Sequence, residues 1–204
     1  MVDSMEKAKG EGKGIYYSIP IPEAVNVTIE GRVVKVTGPK GALTRELWYP
    51  RLSIEVVETG GGTEVVLKSE STRKSIKAMA GTYRSLINNM IIGTGKAFFY
   101  KLKVLHAHFP MQVALTKEGN GVSISNFLGE RKPRIAKVAE GVNVEIKSNG
   151  TEVVVSGMDK VAVGQTSANI EQTTRIKGYD SRVFQDGIYL VEKGIGSESG
   201  AAST

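Results

Sequence analysis

The first quarter of the chain alternates apolar and polar positions in the manner of strands. Val34 and Val36 lie on either side of Lys35, which is typical of a strand that is buried on one face. The Glu30-Gly31 pair that precedes them is a hairpin signal. On this basis we predict strands at 24–29, 32–37, 53–57 and 64–68, with turns at 38–41 and 60–62.

A helical pattern follows these strands. Apolar residues recur every three or four positions, as on the inner face of an amphipathic helix. Ser71 is a residue type preferred at a helix N-cap, and Gly93 is a type that commonly follows a helix end. Residues 98–105 return to a strand pattern. The apolar stripe comprises Ile76, Met79, Ala80, Tyr83, Ile87 and Met90.

The chain repeats itself at a constant offset of 88 residues. The pentapeptide Gly62–Val66 recurs without change as Gly150–Val154. The same offset aligns scattered further pairs, which chance does not easily explain. It is too long for the period of a solenoid, so it indicates a duplicated domain. The further pairs are Glu30-Gly31 with Glu118-Gly119, Val34 with Val122, Val36 with Ile124, Gly41 with Gly129, Val56 with Val144 and Ala80 with Ala168.

The second copy shows the same order of elements as the first. Asp159 is a favourable N-cap for a second helix, which carries Val163, Ile170 and Thr174 on one face, and Gly178 is its expected end. The predicted strands are 112–115, 122–125, 142–146, 152–155 and 188–191.

These patterns predict an α+β fold. It consists of two tandem duplicated domains, each a small, mostly antiparallel sheet arrangement packed with one α-helix. We expect an N-terminal extension at 1–19, a first repeat at 20–107, a second repeat at 108–193 and a flexible tail at 194–204.

Composition narrows the possible functions. The chain has no Cys, which excludes disulfides, thiolate metal sites and cysteine nucleophiles. No run approaches the roughly 18 apolar residues of a spanning helix, and the charged N-terminus has no apolar signal region. We therefore expect neither secretion nor a membrane span. The net charge of +6 favours a polyanionic partner.

Charge is distributed unevenly between the halves. Residues 1–110 hold 16 basic and 10 acidic residues, whereas 111–193 hold 11 and 10. Any anion site in the second half must therefore come from local clustering. In the first half, the polar face of the predicted helix presents cations that either lie in solvent or contact phosphate. They are Arg73, Lys74, Lys77 and Arg84.

Two basic segments stand out in the second half. Residues 131–137 hold four cations in a predicted loop that Pro133 stiffens and Phe127 accompanies, as phosphate binding would need. The 175–182 segment follows the second helix, where the helix dipole alone accounts for Arg175 and Lys177 but not for Arg182. The four cations of the first segment are Arg131, Lys132, Arg134 and Lys137.

Several motifs that suggest an enzyme or a metal site are incomplete. His106 and His108 could share one strand face, yet no third ligand is evident, so we predict no metal and no cofactor. Residues 93–96 resemble part of a phosphate loop without its first glycine or its Ser/Thr. The Ser71-x-x-Lys74 spacing lacks the accompanying motifs of an acylating hydrolase. No nucleophile and base pair is visible, and we predict that the chain is not an enzyme.

Three longer motifs carry a family resemblance. They are His108-Phe109-Pro110, then 125–130 (Ser-Asn-Phe-Leu-Gly-Glu), then 170–190, which includes Ile170-Glu171-Gln172, Ile176-Lys177 and the run Arg182–Leu190. With the duplication, they resemble the ribosomal protein L6 family of the large subunit, in its archaeal and eukaryotic branch, over residues 19–193. Tyr179 departs from the basic residue expected there.

The resemblance implies a structural protein that binds rRNA at the base of the acidic-protein stalk, near the sarcin–ricin loop and the translation-factor site. It implies that the second domain makes the main rRNA contact. It also implies a place in the cytoplasmic large subunit, with ribosomal proteins and translation factors nearby, no membrane and no small-molecule substrate. On this view the contacts to phosphate are Arg131, Lys132, Arg134, Lys137, Arg175, Lys177, Arg182 and Lys193, with Arg73, Lys74, Lys77 and Arg84 secondary.

Composition and motifs by themselves leave two other classes open. One is a free-standing adaptor that binds proteins through its sheet edges, or an RNA-binding module outside the ribosome. The other is a metal-dependent enzyme that uses the His106 and His108 pair.

Overall fold

The protein folds as two compact units. The structure, a computed structural model, describes residues 14–59, 62–107, 109–116, 119–180 and 182–196. The two units meet in the sequence between Gly95 and Lys96. Each contains antiparallel sheets and one α-helix, which confirms the predicted α+β class.

The first unit has two three-stranded antiparallel sheets and a long helix. Its elements are β1 (Ile15–Pro20), β2 (Asn26–Glu30), β3 (Val33–Gly38), β4 (Gly41–Glu46), β5 (Ser53–Thr59), β6 (Gly62–Ser69) and α1 (Lys74–Lys96). The strand orders are β1-β6-β5 and β2-β3-β4. Val34 and Val36 are buried and Lys35 is exposed, as the alternation predicted. They share a core with Val65 of β6 and with Ile87 of α1.

The predicted start of α1 is wrong by two residues. The helix begins at Lys74, and the Lys77 amide donates to the Arg73 carbonyl, so Arg73 holds the N-cap position. Ser71 instead accepts a long 3.5 Å hydrogen bond from the Arg73 amide in the turn before the helix. A good capping residue therefore orders the approach to the helix without capping it.

The predicted end of α1 is also wrong. The helix continues through Gly93, which is buried, and ends at Lys96. The buried Thr94 hydroxyl donates to the Met90 carbonyl at 2.9 Å, which satisfies this polar side chain inside the helix. The left-handed residue that usually follows a helix end is Ala97, with φ of 62°. Packing has overridden the glycine signal.

The second unit has a four-stranded sheet, a three-stranded sheet and a shorter helix. Its elements are β7 (Phe98–Leu105), β8 (Gln112–Leu115), β9 (Gly121–Ser125), β10 (Arg134–Lys137), β11 (Val142–Lys147), β12 (Glu152–Gly157), α2 (Lys160–Thr173) and β13 (Gly187–Ile195). The strand orders are β11-β12-β7-β13 and β10-β9-β8. The core of this unit joins both sheets to Val163 and Ile170 of α2.

The limits of α2 match the sequence at one end only. Asp159 is the N-cap, and its carboxylate accepts from the Val161 amide at 2.9 Å, as predicted. The helix ends at Thr173 rather than near Gly178, because the Thr174 hydroxyl and amide both bond to the Glu171 carbonyl and close the last turn. Gly178 has φ of 79° in a later turn.

The duplication is visible in equivalent hairpins, β5 with β6 and β11 with β12. The repeated pentapeptide lies at the start of the second strand in each hairpin. Val56 of β5 lies opposite Val65 of β6, whereas Val144 of β11 lies opposite Val155 of β12, so the two hairpins differ in register by two residues. The two units differ in the connection between the strands that precede this hairpin. Only Pro39 and Lys40 separate β3 from β4, whereas residues 126–133 separate β9 from β10.

Strand pairing divides the chain at other positions than those expected from the sequence. The expected first repeat, residues 20–107, includes β7, but β7 pairs with β12 and β13 and lies in the second unit. β7 pairs with β12 in the second unit as β1 pairs with β6 in the first. β1 therefore belongs to the first unit and not to an N-terminal extension. β13 runs on to Ile195, beyond the expected start of the tail. Residues 1–13 and 197–204 lie outside the described residues.

Candidate nucleic-acid interface

The loop between β9 and β10 is anchored at its base and exposed at its tip. Phe127 and Leu128 are buried within a single 3-10 turn. Asn126 has φ of 59°, and its side-chain amide donates to the Pro110 carbonyl at 3.0 Å. Arg131 and Lys132 at the tip are exposed. The loop therefore holds two cations in solvent on a fixed base.

Arg134 does not share this exposure. It is the first residue of β10, which makes the prediction of a loop through residue 137 wrong, and its side chain is only 23% exposed. Its guanidinium lies over the Phe127 ring at 4.3 Å and pairs with Glu130 through two hydrogen bonds of 2.8 and 2.5 Å. The hydrogen bond from Arg134 lowers the pKa of Glu130; burial acts in the opposite direction, and the positive charge of Arg134 adds a lesser lowering.

Helix α2 runs beside β10 in the opposite direction. The Asn169 side chain donates to the Lys137 carbonyl at 3.0 Å, and Arg134 donates to the Thr173 carbonyl at 2.7 Å. Four residues along α2 correspond to about 6 Å, so Lys137 lies about one turn before the helix end. Arg131 and Lys132, which precede Arg134, belong beyond that end. The fold therefore brings the basic loop to the C-terminal end of α2.

The segment after α2 lies at the same place. Arg134 also donates to the Arg175 carbonyl at 3.1 Å, which ties residues that are 41 positions apart in the sequence. The side chains of Arg175 and Lys177 are exposed. We call the exposed cations at this end of the helix the C-terminal cluster. It consists of Arg131, Lys132, Lys137, Arg175 and Lys177.

Arg182 lies in the return from this segment to β13. Its amide donates to the Asp180 carboxylate at 2.9 Å, and its side chain is exposed. Tyr179 and Phe184 pack with ring centroids 5.0 Å apart across this turn. The Ile188 amide then donates to the Thr174 hydroxyl, which ties the start of β13 to the end of α2. The turn is thus linked to the same helix end.

Lys193 lies elsewhere in the unit. Its ammonium group is over the Tyr100 ring at 5.4 Å. The same ring lies close to Gly164 of α2, because a Cβ added at Gly164 would be 3.8 Å from a ring carbon of Tyr100. Gly164 is nine residues before Thr173, a distance of about 14 Å along α2. The structure therefore does not bring Lys193 to the C-terminal cluster.

The basic face predicted for α1 is only partly free. Arg73, Lys74 and Lys77 are exposed around the start of the helix, whose first turn has no acidic residue. Cations are unfavourable at this positive end of the helix dipole. Arg84 is half-buried instead, with its guanidinium 5.2 Å from the centre of the Tyr17 ring.

The motifs dismissed in the sequence gain no support from the structure. Residues 93–96 are the last turn of α1 and not a phosphate loop. Within the described ranges, no three His, Cys, Asp or Glu side chains lie where they could hold a metal ion, and His108 is outside those ranges. No helix in the described part of the chain is long and apolar enough to cross a membrane.

The duplicated fold also corresponds to a known family pattern. The family model described as Ribosomal protein L6 matches residues 21–96 and again residues 109–187. The two matches together cover more than half of the chain, and they agree with the predicted duplication. The chain belongs to the ribosomal protein L6 family. The resemblance noted in the sequence is thereby confirmed.

Curated L6 relatives support this membership along nearly the whole chain. Three proteins called Large ribosomal subunit protein uL6 are similar to it. The one from Methanosarcina mazei is 50% identical over 181 residues, which are 89% of this chain and 98% of the relative. The one from Methanococcus vannielii is 51% identical over 175 residues, which are 86% of this chain and 92% of the relative. The one from Methanococcoides burtonii is 50% identical over 183 residues, which are 90% of this chain and 99% of the relative.

Sequence reasoning assigned no supporting role to the residues that hold the candidate interface together. Glu130 lies in the 125–130 motif, but nothing in that motif shows that its carboxylate pairs with Arg134 across the loop turn. Asn169 carries no pattern that links it to the distant Lys137. Asn126 did carry a signal, because Asn tolerates the left-handed backbone that it adopts there. Its position before a Phe-Leu-Gly turn could have indicated an anchored loop.

Proposed function

We propose that this L6 family member binds large-subunit rRNA mainly through its second unit, with the C-terminal cluster and Arg182 on phosphates. The proposed place is the base of the acidic-protein stalk, near the sarcin–ricin loop and the translation-factor site, with ribosomal proteins and translation factors as neighbours. As an L6 protein it is a non-enzymatic structural component of the cytoplasmic large subunit and takes part in translation.

The observation that carries the proposal is the convergence of two basic segments. The loop at 131–132 and the segment at 175–177 meet at the end of α2 through the hydrogen bonds of Arg134. Cations that are close together act on the same stretch of phosphates, whereas surface charges more than about 8 Å apart are largely screened from each other at physiological salt. Local clustering therefore outweighs the small net charge of this half.

The chemistry of the cluster suits folded RNA. Arg and Lys side chains bind phosphate oxygens, and such contacts fix position and orientation rather than sequence. A-form RNA hides the base edges of its deep groove, so recognition there rests on shape, phosphates and 2′-hydroxyls. The anchored loop supplies a fixed shape because Phe127 and Leu128 are buried beneath it.

The exposed cations of α1 are proposed as a secondary contact. Arg73, Lys74 and Lys77 spread over the first helical turns. Among the residues that the structure describes, none of the three has a link to a second basic segment like the hydrogen bond from Arg134 to Arg175 in the other unit. Arg84 is engaged with Tyr17, and Lys193 lies away from the main cluster over Tyr100. We therefore expect these residues to contribute less to affinity.

A comparison of two triple variants tests which unit binds. The loop variant changes Arg131, Lys132 and Lys137 to Ala, and the helix variant changes Arg73, Lys74 and Lys77 to Ala. Each removes three exposed positive charges from a different unit, so a general effect of net charge is the same in both. Arg134 and Arg84 are kept because their guanidinium groups pack on the rings of Phe127 and Tyr17.

The measurement is filter binding or gel shift on a large-subunit rRNA fragment at one salt concentration. We expect the loop variant to lose far more affinity than the helix variant, with circular dichroism showing that both remain folded. Equal losses, or a larger loss from the helix variant, contradict the assignment to the second unit.

Two further experiments test the ribosomal placement. The wild-type protein should co-sediment with large subunits in high salt, which a free-standing adaptor or a module outside the ribosome would not do. Hydroxyl-radical footprinting of the bound protein should protect rRNA next to the sarcin–ricin loop. Protection confined to a remote rRNA region would contradict the proposed position while leaving rRNA binding intact.

A further inference from the structure

Arg134 makes more contacts than any other cation of the basic loop segment. We propose that it is a positioning residue of the RNA-binding surface and not one of its phosphate contacts. This inference rests on the proposed function, because it concerns how the C-terminal cluster is held in place for rRNA.

The hydrogen-bonding capacity of Arg134 is almost fully used inside the protein. A guanidinium group has five N–H donors. Nε and Nη2 donate to the two carboxylate oxygens of Glu130, and Nη1 donates to the carbonyls of Thr173 and Arg175. One face of the group is covered by the Phe127 ring at 4.3 Å. A phosphate could not accept hydrogen bonds from Nε and Nη2 of this guanidinium without displacing the Glu130 carboxylate.

The partners of Arg134 are the supports of the neighbouring cations. Glu130 immediately precedes Arg131, and the carbonyl of Arg175 belongs to a member of the C-terminal cluster. The Thr173 carbonyl is at the end of α2, where a cation is favoured by the helix dipole. One guanidinium thus fixes the loop tip and the segment after α2 relative to the same helix end.

This role requires the shape of Arg and not only its charge. Lys has a single ammonium group and cannot pair both carboxylate oxygens while it also bonds two carbonyls. A residue that only neutralises phosphate tolerates the change to Lys much better, since an ammonium group also binds phosphate as a point charge. The positioning and contact roles therefore predict different outcomes for the same substitutions.

Glu130→Gln gives the sharper test, because the two roles predict opposite signs. If Arg134 contacts phosphate, removal of the competing carboxylate charge should tighten binding to the rRNA fragment. If Arg134 positions the cluster, loss of the paired carboxylate should weaken binding, and we expect about a fivefold loss, equivalent to about 1 kcal/mol. Glu140→Gln removes an exposed carboxylate of the same unit and serves as the control for charge alone.

Substitutions of Arg134 itself complete the test. We expect Arg134→Lys and Arg134→Gln to lose affinity to a similar extent, about tenfold. Rescue of wild-type affinity by Lys, or tighter binding by Glu130→Gln, would overturn the proposal. So would wild-type affinity in all three variants, because Arg134 would then only stabilise the fold.

Folding of each variant is checked by thermal unfolding, with binding measured well below the transition. If the Arg134 variants do not fold, the sign of the Glu130→Gln effect relative to Glu140→Gln decides alone. Failure of the proposed function has a different signature, since the loop variant would then bind the rRNA fragment as tightly as the wild-type protein.

Discussion

The salt dependence of RNA binding follows directly from the number of exposed cations in the C-terminal cluster. The cluster has five exposed side chains, and three of them are removed in the loop variant. Each phosphate that a cation neutralises releases counterions, so the slope of log affinity against log salt counts the contacts. The perturbation therefore changes a slope as well as an affinity.

The expected size can be worked out from these counts. The five cluster contacts and a sixth from Arg182, at about 0.7 to 0.9 each, predict a slope of roughly −4.2 to −5.4 for the wild-type protein, and the three remaining contacts predict roughly −2.1 to −2.7 for the loop variant. Between 50 and 200 mM salt, wild-type affinity should then fall by about 300- to 1,800-fold, against about 20- to 40-fold for the loop variant. At high salt the two affinities should converge.

The assay is filter binding on one rRNA fragment at four or more salt concentrations, with the helix variant measured in parallel. The helix variant should keep a slope close to that of the wild-type protein. Parallel lines for the wild-type protein and the loop variant would refute the argument, because the three cations would then not neutralise phosphate. A flat response of the wild-type protein would exclude phosphate contacts as the main source of affinity.

Three further predictions concern stability. Gly38→Ala should destabilise the first unit by about 1 to 3 kcal/mol in urea unfolding, because the added Cβ would lie 2.8 Å from the Thr94 carbonyl oxygen. Gly81→Ala, at a position on α1 with open space around it, should instead stabilise the unit by up to about 1 kcal/mol. Equal effects of the two substitutions would refute this steric argument. Asp159→Ala should cost about 1 kcal/mol through the lost helix cap, and an unchanged unfolding midpoint would contradict that role. Because the pKa of Glu130 is lowered, its ion pair with Arg134 stabilises the protein above about pH 4.5, and this contribution is lost as pH falls through the folded-state pKa. Glu130→Gln should therefore reduce the loss of stability on acidification, measured by acid titration at fixed urea.

Local sequence determined the strands, the hairpins and the duplication. Val34 and Val36 alternate with polar residues, and the turn at Gly31 needs the positive φ of 63° that glycine accepts easily. Two stretches of chain that share one hydrophobic pattern at a constant offset bury the same positions, so Val65 and Val153 are both fully buried. These features depend on residues that are near each other in the chain.

The candidate site was only partly accessible from sequence. The exposed cations of the cluster were all named from their clustering or their family motif. Their convergence was not, because it depends on hydrogen bonds between Arg134 and carbonyls about 40 residues away. The same contacts turned Arg134 inward, although its charge is indistinguishable in the sequence from that of Arg131.

Tertiary structure alone decided where the helices end and where β7 belongs. Gly93 is a common helix-ending signal, but burial and the satisfied hydroxyl of Thr94 let α1 continue to Lys96. The strand pattern of β7 predicts two hydrogen-bonding edges but does not indicate which strands pair with them. In the structure β12 and β13, both of the second unit, pair with these edges. Periodicity records which face of an element is buried, whereas the partners of that face are chosen by the packing of the whole chain.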